Sequence, residues 1–152
     1  MIGGTYSFLS VQASLAGPGG NISLGSGAGV AEEGITTEPL DDKDNLTVGA
    51  DGSLMHSLIA SQAARVTVRL LKTSPVNALL MQLFNFQRQS PANWGQNNLT
   101  INDPVRGDVV SGTAIAFARQ PTITYAKVGG MNEWIFYGNI TELLGSGAPS
   151  LT

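Results

Sequence analysis

Any chemistry this chain performs has to come from carboxylates, hydroxyls and a single imidazole, because cysteine is absent and His56 is the sole histidine. A zinc site built around one histidine would need two or three carboxylates beside it. No serine sits in a Gly-x-Ser-x-Gly elbow, and Leu24-Gly25-Ser26-Gly27 comes near it without matching. The acidic run Asp41-Asp42-Lys43-Asp44-Asn45 invites a calcium reading. Counted from Asp42, Asp44 fills the third position of an EF-hand loop, but Leu46 stands at the fifth and Thr47 where glycine is needed. That leaves a solvated acidic loop or a loose oxygen-ligand site. Glu32 and Glu33 are neighbours on an expected strand and point to opposite faces, so they do not pair as catalytic acids. The run Gly25 to Gly29 lacks the lysine and the following helix of a phosphate loop. Trp94 and Trp134 read as packing residues. No catalytic, cofactor-binding or metal-binding residue is assigned, and the chain reads as a non-enzyme that needs no cofactor.

The elements around these residues read mostly as strands. Tyr6 to Leu15 alternates, with Ser7, Leu9, Val11, Ala13 and Leu15 on the more apolar face. Gly17-Pro18-Gly19-Gly20 turns it back into a short strand over Asn21 to Gly25, forming a hairpin. Gly25 to Gly29 is a second break. Val30 to Pro39 is a strand ended by proline, which cannot donate to a ladder. A polar loop follows from Leu40 to Asn45, then a brief strand Leu46-Thr47-Val48 and a turn over Ala50 to Ser53. Leu54 to Ala60 is ambiguous. Ala64 to Leu71 sets Val66, Val68 and Leu70 against Arg65, Thr67 and Arg69. Ser74 and Pro75 open a helix, Ser74 as cap and Pro75 at the first helical position. Its apolar stripe is Val76, Leu79, Leu80, Leu83, Phe84 and Phe86, and it ends near Gln89. Leu99 to Asn102, Asp108 to Ala118, Thr122 to Ala126 and Glu133 to Thr141 read as further strands. The sum is a mainly β fold, an antiparallel sandwich or barrel of about eight or nine strands with one flanking helix. Residues 1–152 form one domain on this reading, with a flexible C-terminal arm over about 145–152.

Composition narrows the function. Hydrophobic residues make up 42% of the 152 and charged residues 12%, about half the usual charged share. Either partner copies cover much of the surface, or neutral polar groups keep a Gly/Ser/Thr/Asn-rich β-protein soluble. A net charge of −3 argues against a nucleic-acid-binding surface, which would need clustered bases. The amino terminus lacks a signal peptide's basic region and apolar run, and no window approaches a membrane helix. Folding in the cytoplasm where the chain is made is the expectation.

Charge is divided along the chain. Residues 1–60 hold seven acids and one base (−6), and residues 61–152 hold seven bases and four acids (+3). Head-to-tail contact between copies would use such a division; so would pairing of the two halves within one copy.

Five stretches carry a resemblance to a known family: Tyr6 to Leu9, Gly27 to Thr37, Val48 to His56, Val68 to Asn77, and Gly129 to Trp134. Together and in this order they resemble the tail tube proteins of contractile-tailed bacteriophages, structural proteins of the Pseudomonas-myovirus type. The resemblance implies packed β-sheets closing toward a barrel with a flanking helix. It implies hexameric rings in which one sheet of each copy joins a β-barrel around a channel. Those rings stack into a hollow tube inside a contractile sheath and give a conduit for genome ejection. The implied partners are the chain itself, the sheath protein, the tape measure protein in the lumen, and baseplate and tail terminator proteins. DNA passes through unbound, and no membrane is engaged. The implied location is the virion tail, assembled in the host bacterial cytoplasm. A tube protein of a related contractile injection system or tailocin is the nearest alternative; a virion β-sandwich that binds a receptor or glycan is the next.

The family uses a long loop in the first half of the chain to reach the next ring. Here that is the loop Leu40 to Gly52, with Asp41, Asp42, Lys43, Asp44, Asn45 and Asp51 as contact residues. Arg65, Arg69, Arg106, Arg119 and Lys127 are the complementary basic contacts. A DNA conduit should not bind DNA, so Arg65 and Arg69 are expected to be paired with acids or to lie at subunit contacts.

Overall fold

The computed structural model describes residues 6–25 and 30–145. Among these residues are nine strands in antiparallel sheets and one α-helix, the mainly β class expected. In chain order these are β1 (Gln12–Gly17), β2 (Gly20–Ser23), β3 (Val30–Pro39), β4 (Asp44–Val48), β5 (Leu54–Leu58), β6 (Ala63–Leu71), α1 (Val76–Gln87), β7 (Asn97–Asp103), β8 (Asp108–Arg119) and β9 (Met131–Leu143). Seven strands make one sheet in the order β2-β1-β7-β8-β9-β6-β3, and β4 and β5 make a sheet of their own. Among the described residues β2 and β3 are the edge strands of the large sheet.

One face of the large sheet carries the core. Leu15, Leu99, Ile115, Trp134, Phe136, Val66, Val68 and Leu70 are almost fully buried. Each such side chain contributes about 1.5–3 kcal/mol by leaving water. α1 closes this face with Val76, Leu80, Leu83 and Phe84. Aromatic rings run through the seam: Phe84 meets Trp94 and Phe117 edge-on at 6.0 and 5.4 Å, and Phe117 meets Trp134 and Phe136 at 5.9 and 4.8 Å. The packing roles expected of Trp94 and Trp134 are therefore observed. The Trp134 indole N–H donates to Asn77 Oδ1 at 3.1 Å, so the ring is buried without an unmet donor.

A buried polar pair sits in the same seam. Gln87 and Asn97, both fully buried, exchange side-chain amide hydrogen bonds of 2.7 and 2.8 Å. Their remaining donors reach the carbonyls of Pro18 at 3.1 Å and Ile115 at 3.0 Å. This ties the end of α1 to the first hairpin and to β8.

Ile115 follows a bulge in β8. The β8–β9 register shifts between Thr113 and Ala116, and Ala114 there has φ 54°. Before it Val110 and Gly112 face inward; after it Ile115 and Phe117 do. A one-residue insertion moves every following side chain to the other face. Opposite lies Gly138, where a Cβ would fall 2.3 Å from Ile115 Cδ1 and 3.0 Å from Ile115 Cα. Only glycine fits that approach.

The sequence reading fails at several places. Tyr6 to Leu15 is not one strand: Phe8–Ser10 is a 3-10 turn, and β1 starts at Gln12. The reason is local hydrogen bonding. Ser7 Oγ accepts the Leu9 N–H at 3.2 Å, and Ser10 Oγ donates to Asp103 Oδ1 at 3.1 Å. Leu9, expected on the apolar face, is exposed. Ser74 Oγ accepts the Val76 N–H at 3.2 Å, while Pro75 occupies the cap position, so the helix starts one residue later than expected. Leu79 and Phe86 stand out from the helix instead of joining its buried stripe. Thr122 to Ala126 forms no strand. Leu40 to Gly52 is not an open loop, because Asp44 and Asn45 already belong to β4. The break expected over Gly25 to Gly29 and the arm over 145–152 fall outside the described residues, Gly25 and Gly145 excepted.

Candidate assembly interface

The region expected to reach a neighbour is a β-hairpin. Its root continues the β3–β6 ladder: the Leu40 N–H donates to Ala63 O at 3.1 Å and the Ile59 N–H to Lys43 O at 2.9 Å. The Lys43 ammonium donates to Ser61 O, and Ser61 Oγ donates to Asp41 Oδ2 at 2.6 Å. Beyond the root, β4 and β5 pair from Asp44↔Leu58 to Val48↔Leu54. Gly49 to Ser53 closes the tip, where the Gly49 N–H donates to Ser53 O at 2.7 Å and Gly52 takes φ 87°. Asp51 Oδ1 accepts the Ser53 N–H at 3.0 Å. That bond, with a further one from the Ser53 side chain, holds the Asp51 carboxyl below the ordinary aspartate range.

Directly paired residues share a face. Asp44, Leu46, Val48, Leu54, His56 and Leu58 therefore lie on one face, and Asn45, Thr47, Met55 and Ser57 on the other. The first face is four aliphatic side chains around one polar pair, His56 Nδ1 and Asp44 Oδ2 at 2.8 Å. All fifteen residues from Asp44 to Leu58 are exposed except Ser57, which is partly covered. Leu58 keeps 89% of its surface in water, and Val48 and Leu54 about 60% each. A two-stranded hairpin alone in water is marginal at best. A cluster of exposed aliphatics of this kind marks an interaction surface.

The expected contact residues are thus engaged unequally. Asp41, Asp44 and Asp51 accept hydrogen bonds within the hairpin and its root; Asp42 and Asn45 point into solvent. The aliphatic face was missed. Its signal was present in the alternation Asp44-Leu46-Val48 and Leu54-His56-Leu58 on either side of a glycine turn, which is a hairpin pattern.

The five basic residues do not form one surface. Arg65 and Arg69 stand on the outward face of β6, and both meet acids as expected. Arg65 Nη1 lies 3.8 Å from Glu38 Oε2, and Arg69 Nε lies 4.0 Å from Glu133 Oε2. Arg65 also donates to the Tyr137 hydroxyl at 3.4 Å, which raises its already high pKa, and Arg69 donates to Thr36 Oγ1 at 2.9 Å. Arg106 lies in the β7–β8 turn, 5.7 Å from the Tyr6 ring centroid and at the same end of the sheet as the hairpin root. Arg119 ends β8 and Lys127 lies within the long β8–β9 connection, toward the other end of β6. Among the described residues no group of three or more His, Asp or Glu side chains is placed to hold a metal ion, so the acidic stretch does not converge.

A projecting hairpin, an open-edged sheet and a covering helix suit a protein that completes itself with its own copies. Residues 3–145 match the family model of the bacteriophage PhiTE tail tube protein. The chain belongs to this tail tube family. It is a structural component of the phage virion tail. Solved structures with the tail tube chain's fold include a chain of the PVC sheath–tube complex, an extracellular contractile injection system in the extended state. Its TM-score is 0.50 at 12% identity, covering 88% of each chain. A chain of the anti-feeding prophage cap, the AFP tube-terminating cap, matches at TM-score 0.52 and 10% identity over 95% of this chain and 96% of that one. No curated protein matches in sequence.

Proposed function

We propose that this tail tube protein forms hexameric rings that stack into a hollow, non-catalytic tube inside a contractile sheath, and that the genome leaves through it. The observation that carries this reading is the family match over residues 3–145. That β2 and β3 are edge strands among the described residues supports ring formation, because an uncovered strand edge is an aggregation hazard that closure removes. The outward face of β6 supports a passive conduit: its arginines lie against Glu38 and Glu133 instead of standing as a phosphate-binding row. Residues 1–152 act as one tube domain, with the hairpin as connector between rings and 145–152 as a terminal arm.

The sheath is the outer partner, a reading supported by the sheath–tube complex among the structural neighbours. The tape measure protein and DNA occupy the lumen, and baseplate and terminator proteins cap the ends. Assembly takes place in the host cytoplasm. A second reading, a tube of a contractile injection system or tailocin, is favoured by the same two neighbours. The test is electron microscopy of tails together with quantitation of this chain in purified particles. Many copies per particle and labelling along the whole tail are expected. A few copies confined to one end would end the tube reading.

A further inference from the structure

Two parts of the molecule are unfinished in a single copy. One is the β4–β5 hairpin with its exposed aliphatic face. The other is the connection between β8 and β9. Its stretch Thr122-Ile123-Thr124-Tyr125-Ala126-Lys127-Val128 has the β-branched and aromatic alternation of a strand, yet it belongs to no ladder and every residue is exposed. Such a sequence gains its strand stability from cross-strand neighbours, and it has none among the described residues. It is held in place on one side. The Lys72 N–H donates to Gly130 O at 3.3 Å, the Lys72 ammonium donates to Thr124 O, and Thr122, Thr124, Ala126 and Val128 line a shallow pocket with Lys72 and Asn132. Ile123, Tyr125 and Lys127 are the alternate set; Tyr125 is 87% exposed, with the Lys72 ammonium 4.0 Å from its ring centroid.

These parts sit at opposite poles. The hairpin springs from the Pro39 and Ala63 end of the β3–β6 ladder. The 122–128 stretch is anchored at the Leu71 and Met131 end of the β6–β9 ladder. A strand the length of β6 separates them by about 26 Å. Charge is divided the same way. The hairpin and its root carry Asp41, Asp42, Asp44 and Asp51 against Lys43; Arg119 precedes the far stretch and Lys127 lies within it, with Lys72 beneath and no acid between Arg119 and Met131.

We infer that the 122–128 stretch of one copy is the seat for the β4–β5 hairpin of a second copy of this chain. Ile123 and Tyr125 cover Leu46, Val48, Leu54 and Leu58, while Lys127 and Arg119 face the hairpin's acids. Donor and seat are different surfaces at opposite poles, so the contact is heterologous and repeats along an axis without closing. This rests on the tube reading and assigns its axial joint: an apolar contact steered by charge.

The test uses the absence of native cysteine. Full-length Leu46→Cys, Val48→Cys, Leu54→Cys and Leu58→Cys variants are each mixed with a Tyr125→Cys variant and oxidised, with Leu9→Cys as a control seat on the hairpin pole. At least one hairpin position should give a reducible heterodimer with position 125, at a yield about tenfold above that with position 9. Ile123→Ser combined with Tyr125→Ser should raise the concentration needed for tube formation about tenfold or more without lowering the monomer's urea midpoint. If tubes are visible but no hairpin position joins position 125, the seat is wrong and the tube reading stands. If neither tubes nor cross-links form, both are wrong.

Discussion

Gln87 and Asn97 hold each other in a sealed seam; Asp44 and His56 form a pair of similar length in open water. The first pair is fully buried and every amide donor reaches a partner. The second stands among four exposed aliphatic side chains on a hairpin that forms a sheet of its own among the described residues. In the seam, polar satisfaction and close packing make one copy a definite shape. On the hairpin the same ingredients, apolar surface around a polar pair, stand exposed. Damage to the seam should therefore appear in the monomer, and damage to the hairpin only in the assembly.

The largest effect should come from Trp134→Ala. It removes the largest fully buried side chain, breaks the ring contact with Phe117 and leaves Asn77 without its indole donor. A loss of about 4 kcal/mol is expected from cavity formation, read as a lowered urea midpoint of the monomer. A loss below about 1 kcal/mol would mean the seam is not closed. Gln87→Ala comes next, at about 2 kcal/mol, because Asn97 is left buried with unmet groups. Replacing both by leucine should recover part of that loss, since neither side-chain amide is left without the other and only the Pro18 and Ile115 carbonyls lose a donor.

On the other side of the comparison, Leu46→Ser combined with Leu54→Ser should change monomer stability by less than about 0.5 kcal/mol and still abolish tubes in electron micrographs. Unaltered tubes would remove the hairpin from the joint. Changing Asp41, Asp42 and Asp44 to lysine should weaken stacking without unfolding the monomer. Because this contribution is electrostatic, the defect should shrink as salt rises. A salt-independent defect would point instead to the hydrogen bonds that Asp41 and Asp44 make with Ser61 and His56.

The division between seam and hairpin also explains what the sequence could tell. Period-two alternation marked β6 and β9 because one face of each is buried. It misread Thr122 to Ala126, whose alternation has no ladder to join within one copy. It also misread Tyr6 to Ser10, where serine hydroxyls capture backbone and side-chain partners before a strand can form. The Gln87–Asn97 pair left no trace, since two amides ten residues apart carry no periodic signal. The β8 bulge shifts the inward set by one residue at Ala114, which only the folded register reveals. The acidic stretch drew its connector reading from family resemblance alone. Its aliphatic face was hidden because counting charges draws attention to the aspartates between the leucines.

The smallest effect belongs to the hairpin tip, and it tests whether the exposed arm is shaped before it meets a partner. The Asp51 carboxylate accepts the Ser53 N–H at 3.0 Å, and its pKa is lowered from the ordinary 3.8. A carboxyl with a depressed folded pKa stabilises the folded turn above its unfolded value and loses that contribution as pH falls through the folded value. The turn should therefore keep its structure through neutral and mildly acidic pH and loosen only below 3.8. The Ser53 amide resonance should follow that titration, with a midpoint under the ordinary aspartate value, and Asp51→Asn should remove it. A midpoint at or above the ordinary value would mean that the carboxylate does not organise the tip. The tip's order would then have to come from the Gly49–Ser53 backbone bond and the left-handed Gly52, or from contact with the next copy.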